Sequence, residues 1–264
     1  MNWPLILAHR GASGHAPENT LAAFALARSM GADGAELDVR LSADGVPVVF
    51  HDADLSRLFA KKAPLSDLTL RALRRLSFGP KFGAAFEAER IPTLDEAIET
   101  LLGLLVNIEL KSDTLPDGRL EARVAECIRN AGAGESAVIS SFNPLSIAAF
   151  RHILPDVATA FLFSPGGRRG LRGPMAGYAL GTQFLSPASS LVDAARVARW
   201  HRDDFNVMTW TVNTEAEARR CVGCGVDAII TNYPDRLRAA LRPGRQTKHE
   251  HSTAEGAETA EPTR

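Results

Sequence analysis

Leu5-Ile6-Leu7-Ala8-His9-Arg10-Gly11 is the stretch on which the fold turns. Four apolar residues are too few for a helix and suit a strand buried on both faces. The imidazole and guanidinium then stand where that strand ends, and glycine lets the chain bend. A proton carrier beside a fixed cation at a strand end is suited to holding an anion. Further along, Pro17-Glu18-Asn19-Thr20 opens a helical pattern, Glu36-Leu37-Asp38 closes a second strand, and His51-Asp52 closes an extended run behind it.

Outward from that start, short β-rich runs alternate with longer helical patterns as far as Leu241. That alternation is the mark of βα units on a parallel sheet. The expected strands are Leu5 to Ala8, Gly34 to Val39, Leu105 to Leu110, Ala137 to Ser140, Val157 to Phe161, Thr182 to Leu185, Asn206 to Thr211 and Asp227 to Thr231. Their number predicts a TIM (β/α)8 barrel, an α/β fold. Asn19 or Thr20 is expected to cap a helix over Leu21 to Met30, Thr93 one over Leu94 to Leu102 with Glu96 completing a capping box, and Thr214 one over Glu215 to Cys221. Gly31, Gly103 and Gly223 stand where helices should stop.

Two segments interrupt the alternation. Residues 54–90, including Gly79-Pro80-Lys81-Phe82-Gly83, read as a short helical insertion after strand 2, placed to wall the site or merely to cover a barrel edge. The barrel domain is therefore expected over residues 1–242. Residues 243–264 carry no aromatic or large aliphatic side chain and are expected to form a disordered tail, in which His249 and His251 lack the frame of a metal site.

With 264 residues, 45% hydrophobic composition and a formal net charge of −1, the chain is long enough for a large core and lacks the basic excess that nucleic acid or anionic membranes reward. A small-molecule partner is the expectation, with no nucleic acid and no stable membrane association; oligomeric state has no sequence signature here. No apolar run approaches the roughly 20 residues of a membrane helix, and Leu5 to Ala8 lacks a signal peptide's basic flank. Three cysteines, Cys127, Cys221 and Cys224, suit a reducing compartment, so the location expected is cytoplasmic. Cys221 and Cys224 have redox or metal spacing, but they read as small thiols at a helix end.

Side chains two apart on a strand point the same way. Ala35, Leu37 and Val39 thus share one face and Glu36 and Asp38 the other; Ile108 and Leu110 oppose Asn107, Glu109 and Lys111. If the apolar faces meet the outer helices, Glu36, Asp38 and Glu109 point into the barrel near its mouth. Carboxylates so confined must take up protons, pair with cations or bind metal, and three oxygen donors suit a hard divalent ion such as Mg2+ or Ca2+. The alternative is a salt-bridge cluster with Arg10, Arg40 and Lys111, which leaves His9 and His51 unexplained. Either histidine alone reads equally as a core residue; together they are placed to divide acid and base duties.

The ordered set His9-Arg10-Gly11, Pro17-Glu18-Asn19-Thr20, Glu36-Leu37-Asp38, His51-Asp52, Asn107-Ile108-Glu109-Leu110-Lys111, Ser141-Phe142, Trp210-Thr211-Val212-Asn213, Gly225 to Asp227 and Thr231-Asn232-Tyr233-Pro234 resembles the glycerophosphodiester phosphodiesterase family, in its compact cytosolic bacterial form. The resemblance spans about residues 3 to 240. It implies a TIM barrel that hydrolyses glycerophosphodiesters, such as glycerophosphocholine or glycerophosphoethanolamine, to sn-glycerol 3-phosphate and an alcohol. Carried over, His9 and His51 are the acid/base pair, Glu36, Asp38 and Glu109 the metal ligands, and Arg10 with Lys111 the phosphate clamp. Two routes fit these residues: attack by the substrate's glycerol hydroxyl through a cyclic phosphate, and direct attack by water.

Phe142 and Trp210 are candidates for a substrate wall, with Phe161 and Phe163 also near strand ends. Glu18 is expected to cap or to orient an arginine, and the basic loop Gly166 to Gly173 reads as an exposed loop. Leu58, where the family usually has threonine, and Asn232, where an acid is common, are departures expected to alter the alcohol pocket. Competing readings are a lysophospholipase D-like or phospholipase C-like enzyme, its mouth lined by Leu55, Leu58, Phe59, Phe78, Phe82 and Phe86, and a non-catalytic phosphodiester-binding barrel.

Overall fold

The computed structural model describes residues 3–112, 115–168 and 170–241. The tail expected over 243–264, with His249 and His251, lies outside them. Eight parallel strands close into a barrel: β1 (Leu5–His9), β2 (Gly34–Leu41), β3 (Leu105–Leu110), β4 (Ala137–Ser141), β5 (Ala158–Phe163), β6 (Phe184–Pro187), β7 (Asn206–Thr209) and β8 (Ala228–Thr231). Closure is made where β8 pairs β1 from Leu5↔Ala228 to Ala8↔Thr231. Each expected strand is present, with shifted ends. The sixth starts at Phe184 because Thr182 and Gln183 spend their side chains locally: Thr182 Oγ1 donates to the Phe184 carbonyl, and Gln183 Oε1 accepts from the Thr159 amide at 2.9 Å.

Outer helices follow the strands: α1 (Leu21–Ser29), α2 (Leu94–Thr100), α3 (Arg119–Ala131), α4 (Pro144–Ile153), α5 (Met175–Leu180), α6 (Ala194–Arg202), α7 (Glu215–Cys224) and α8 (Pro234–Leu241). Thr20, not Asn19, caps α1, and Thr93 with Glu96 forms the capping box of α2. Gly223 lies inside α7, and Gly225, at φ 88°, ends it. Cys221 is buried at that end, and burial pushes its thiol up to about 11. This is the setting of an inert thiol.

The outward faces of β2 and β3, with Ala35, Leu37, Val39, Ile108 and Leu110, pack with Phe24 of α1 and Phe150 of α4 into one core. Full burial of a side chain the size of Phe24 contributes roughly 1.5–3 kcal/mol. Inside the ring, Leu7, Val138, Ala160, Met208, Ala228 and Ile230 form an apolar plug. The barrel is thus filled below, and its polar residues are confined to the mouth.

The insertion is more than a helix and loop. After a short strand, Pro47–Val49, that runs antiparallel to β2, Asp54–Leu55 of the insertion pairs with Lys61–Pro64 around a short helix, Ser56–Phe59. Val48, Phe50, Leu55, Leu58, Leu65, Leu73, Phe78 and Ile91 give the segment its own core. Pro64 and Leu65 of the insertion, with Ala53 just before it, join Arg40 and Lys111 around a cavity of about 350 Å3 at the ends of β2 and β3. Of the apolar residues considered for lipid contact, Leu55, Leu58 and Phe78 are buried in that core and Phe59 packs against it, while Phe82 stays exposed.

Candidate active site

Strand register assembles the site. His9 pairs with Glu36, Glu36 with Asn107, and one row further out Asp38 pairs with Glu109 and Glu109 with Ser140. Inward-facing residues of four adjacent strands are thereby stacked in two layers above the plug. A cavity of about 230 Å3 opens there, lined by His9, Arg10, Glu36, His51, Glu109, Lys111, Phe142 and Trp210 among others. Each residue singled out as acid/base, ligand, clamp or wall borders it except Asp38, which is held behind two of the lining side chains, 2.9 Å from Lys111 Nζ and 3.1 Å from Arg10 Nε. Phe142 and Trp210 meet edge to face at 5.4 Å. Phe161 and Phe163 instead pack outside the ring with Trp200, because their places on β5 point them toward the helices.

One carboxylate oxygen each from Glu36, Asp38 and Glu109 lies within 4.8 Å of the others, and all three residues are buried. Like charges packed so closely resist ionising together. Burial, and then the charge of Asp38, pushes Glu36 up to about 8. Burial likewise takes Glu109 up to about 7, although Lys111 Nζ stands 2.5 Å from its Oε1. Asp38 goes the other way: burial opposes its charge, but Lys111 and Arg10 outweigh it and hold the carboxyl well below its usual range. Asp38 Oδ1 is buried and, among the described residues, has no hydrogen-bond partner beyond its ion pair with Lys111 Nζ at 2.9 Å. Three convergent oxygen donors, one of them so under-used, fit a hard divalent cation.

Both histidines are tethered at Nδ1. His9 Nδ1 lies 2.7 Å from Asn232 Oδ1, and His51 Nδ1 lies 2.7 Å from Asp52 Oδ1. With Nδ1 protonated in each, Nε2 is the proton-accepting atom. Burial, followed by the Arg10 charge, lowers His9; burial also lowers His51, against the pull of Asp38. Arg10 sits at φ 55° and Gly11 at φ 79°, which turns the chain sharply enough that the Arg10 amide donates to Glu36 Oε2 at 3.0 Å. Its guanidinium lies 3.1 Å from Asp38 and 2.8 Å from Glu18.

A family model described as the glycerophosphoryl diester phosphodiesterase family matches residues 9–236. The chain belongs to that family. A glycerophosphodiester phosphodiesterase of Caldanaerobacter subterraneus subsp. tengcongensis is 36% identical over 247 residues, covering 91% of this chain and 98% of that protein. One from Bacillus altitudinis is 33% identical, covering 88% and 95%. Among solved structures, an Oleispira antarctica phosphodiesterase in complex with the product sn-glycerol-3-phosphate superposes with a TM-score of 0.82 at 32% identity, covering 90% of this chain and 97% of that one. The glycerophosphodiester phosphodiesterase of Agrobacterium tumefaciens gives 0.77 at 29%, covering 89% and 99%.

In this phosphodiesterase fold several polar residues matter that periodicity does not single out. Asn19 donates to Asp38 Oδ2 at 2.8 Å, so it serves a candidate ligand and not a helix cap. Glu18, expected to cap or to orient an arginine, accepts from Arg10 at 2.8 Å and from Arg57 at 2.8 and 2.7 Å. Of the two departures from the family pattern, Asn232 lies 2.7 Å from His9 Nδ1 through its Oδ1, and Leu58 is buried in the insertion core. Asp52 is marked by its adjacency to His51 in the motif quoted above, whereas Arg57 carries no local signal. Among the described residues no helix is long and apolar enough to cross a membrane.

Proposed function

We propose that this chain hydrolyses glycerophosphodiesters, glycerophosphocholine and glycerophosphoethanolamine among them, to sn-glycerol 3-phosphate and an alcohol, acting in the cytoplasm. The observation that carries the reading is the convergence, around one barrel-mouth cavity, of two tethered imidazoles, a guanidinium and an ammonium over a triad of carboxylates. Glu36, Asp38 and Glu109 would hold Mg2+ or Ca2+. When bound there, such an ion supplies positive charge against the phosphate oxygens and favours ionisation of a hydroxyl.

A phosphodiester is an anion that repels nucleophiles, so its charge must be offset before it is attacked. Arg10 and Lys111 are assigned that task. Their present partners, Asp38, Glu18 and Glu109, keep them charged and aimed until substrate arrives. His9 and His51 carry protons at Nε2: one takes the proton of the attacking hydroxyl, and the other, protonated, gives its proton to the departing alkoxide oxygen. Phe142 and Trp210 offer an apolar wall to the alcohol or glycerol side.

The test is release of sn-glycerol 3-phosphate from glycerophosphocholine by the purified protein. Steady turnover that is abolished by chelator, restored by Mg2+ or Ca2+, and lost in His9→Ala and His51→Ala supports the assignment. Stoichiometric binding without product would replace it with the non-catalytic barrel. Turnover confined to lysophospholipids would favour the lipid enzyme, a reading that the buried insertion core does not support.

A further inference from the structure

We propose that Arg57, carried by the insertion, is a positioning residue that locks one carboxylate behind His51 and another behind Arg10. The proposal rests on the reading of His51 and Arg10 given above. Arg57 Nε lies 2.6 Å from Asp52 Oδ2, and the other Asp52 oxygen holds His51 Nδ1 at 2.7 Å. The terminal nitrogens of the same guanidinium grip Glu18 in a fork, at 2.8 Å to Oε2 and 2.7 Å to Oε1. Glu18 Oε1 in turn accepts from Arg10 at 2.8 Å. One planar fork thereby ties the His51 side of the cavity to the Arg10 side through two carboxylates, each of which touches a residue lining the site.

Exposed ion pairs contribute little by themselves, and Arg57 is 43% exposed. What distinguishes this one is what its partners hold. Asp52 has one oxygen on His51 and one on Arg57, so without the guanidinium it is free to rotate off the imidazole. Arg57 itself is anchored from behind: Lys81 Nζ donates to its carbonyl at 2.5 Å. Its neighbours Leu55 and Leu58 are buried in the insertion core, and Phe59 stacks on Phe50 at 6.0 Å and meets Phe78 edge-on at 4.9 Å. The core of the insertion is thus the footing of a strut. Orienting a catalytic imidazole through its far nitrogen is a recognised source of rate, and small misplacements of a reacting group are costly.

The experiment compares wild type, Arg57→Ala, Arg57→Lys and Asp52→Asn with glycerophosphocholine and saturating divalent ion. For Arg57→Ala we expect kcat to fall roughly 10–100-fold, as for other residues that orient a functional side chain, with KM little changed. Lysine should recover only part, since an ammonium cannot span both carboxylates. Millimolar guanidinium, far below denaturing levels, should raise kcat of Arg57→Ala and leave wild type and Arg57→Lys unmoved. Wild-type kcat in Arg57→Ala, or a loss that follows a fall in Tm and resists guanidinium, overturns the proposal. Imidazole 15N spectra give a readout independent of turnover: His51 should be the Nδ1–H tautomer in wild type and a mixture in Arg57→Ala. An unchanged His51 tautomer overturns the positioning role even if the wild type hydrolyses nothing, whereas inactivity of the wild type alone counts against the proposed function.

Discussion

Asn232 Oδ1 accepts from His9 Nδ1 across 2.7 Å, although the two stand 223 positions apart in the chain. The contact exists because β8 closes the ring against β1, bringing the loop after Thr231 over the end of His9. Asn232 is itself fixed, since its amide donates to Asn213 Oδ1 at 2.9 Å. A neutral amide oxygen selects the His9 tautomer without adding a charge. Replacing it by leucine removes one neutral hydrogen bond, worth about 1 kcal/mol, so Asn232→Leu should lower kcat roughly five- to tenfold. Steady-state kinetics at fixed metal check this; an unchanged kcat would show that the tether is dispensable.

The carboxylate triad predicts how stability and metal binding respond to pH. Glu36, raised from 4.5 to about 8, and Glu109, raised from 4.5 to about 7, bind protons more tightly folded than unfolded. Their contribution to stability is therefore complete below the unfolded value and is lost as pH rises through the folded ones. Asp38, shifted downward, does the reverse and loses its contribution only in strong acid, outside that window. Metal-free wild type should lose Tm across this interval more steeply than Glu36→Gln. Mg2+ or Ca2+ must displace those protons, so the Tm increment on adding either ion should grow as pH rises. A pH-independent increment, or none, in a thermal scan with and without chelator contradicts the metal assignment.

Strand periodicity made most of this site legible beforehand. Glu36, Asp38, Glu109 and Lys111 declare themselves because residues two apart share a face and their neighbours are apolar, and His9 because it ends a buried run. The tethers were not legible in the same way. Asn19 to Asp38, Arg57 to Glu18 and Asn232 to His9 each join a residue in a connecting segment to one on a strand or on the insertion's short helix, and they are set by ring closure and by the seating of the insertion. Nothing local in the chain encodes them. The pairing of Asp54–Leu55 with Lys61–Pro64 also escaped, because a strand of two residues has no period to detect.

Gly11 is required by both space and backbone. At φ 79°, a Cβ placed there would lie 2.7 Å from the Ala23 carbonyl carbon and Cβ in α1. Gly11→Ala must therefore strain the turn, at roughly 1–3 kcal/mol, and push the His9-Arg10 segment away from α1. The expected result is a lowered Tm together with a loss of turnover greater than Asn232→Leu produces, since both His9 and Arg10 move. Thermal denaturation alongside kinetics would expose the alternative, a wild-type Tm, which is incompatible with this packing.

Arg10→Lys tests whether the clamp needs a guanidinium or only a charge. Arg10 uses two separate faces of its fork, Nε toward Asp38 at 3.1 Å and a terminal nitrogen toward Glu18 at 2.8 Å, while it borders the cavity. Lysine keeps the positive charge but brings a single nitrogen, which cannot reach both carboxylates and still face a phosphate oxygen. Loss of a charge-assisted hydrogen bond costs about 1.5–3 kcal/mol, so kcat/KM should fall roughly 10–100-fold. Inhibition by inorganic phosphate should weaken in parallel, because the product anion uses the same donors. If Arg10→Lys matched wild type in both measurements, charge alone would suffice, and the planar fork between Asp38 and Glu18 would have no part in holding the substrate.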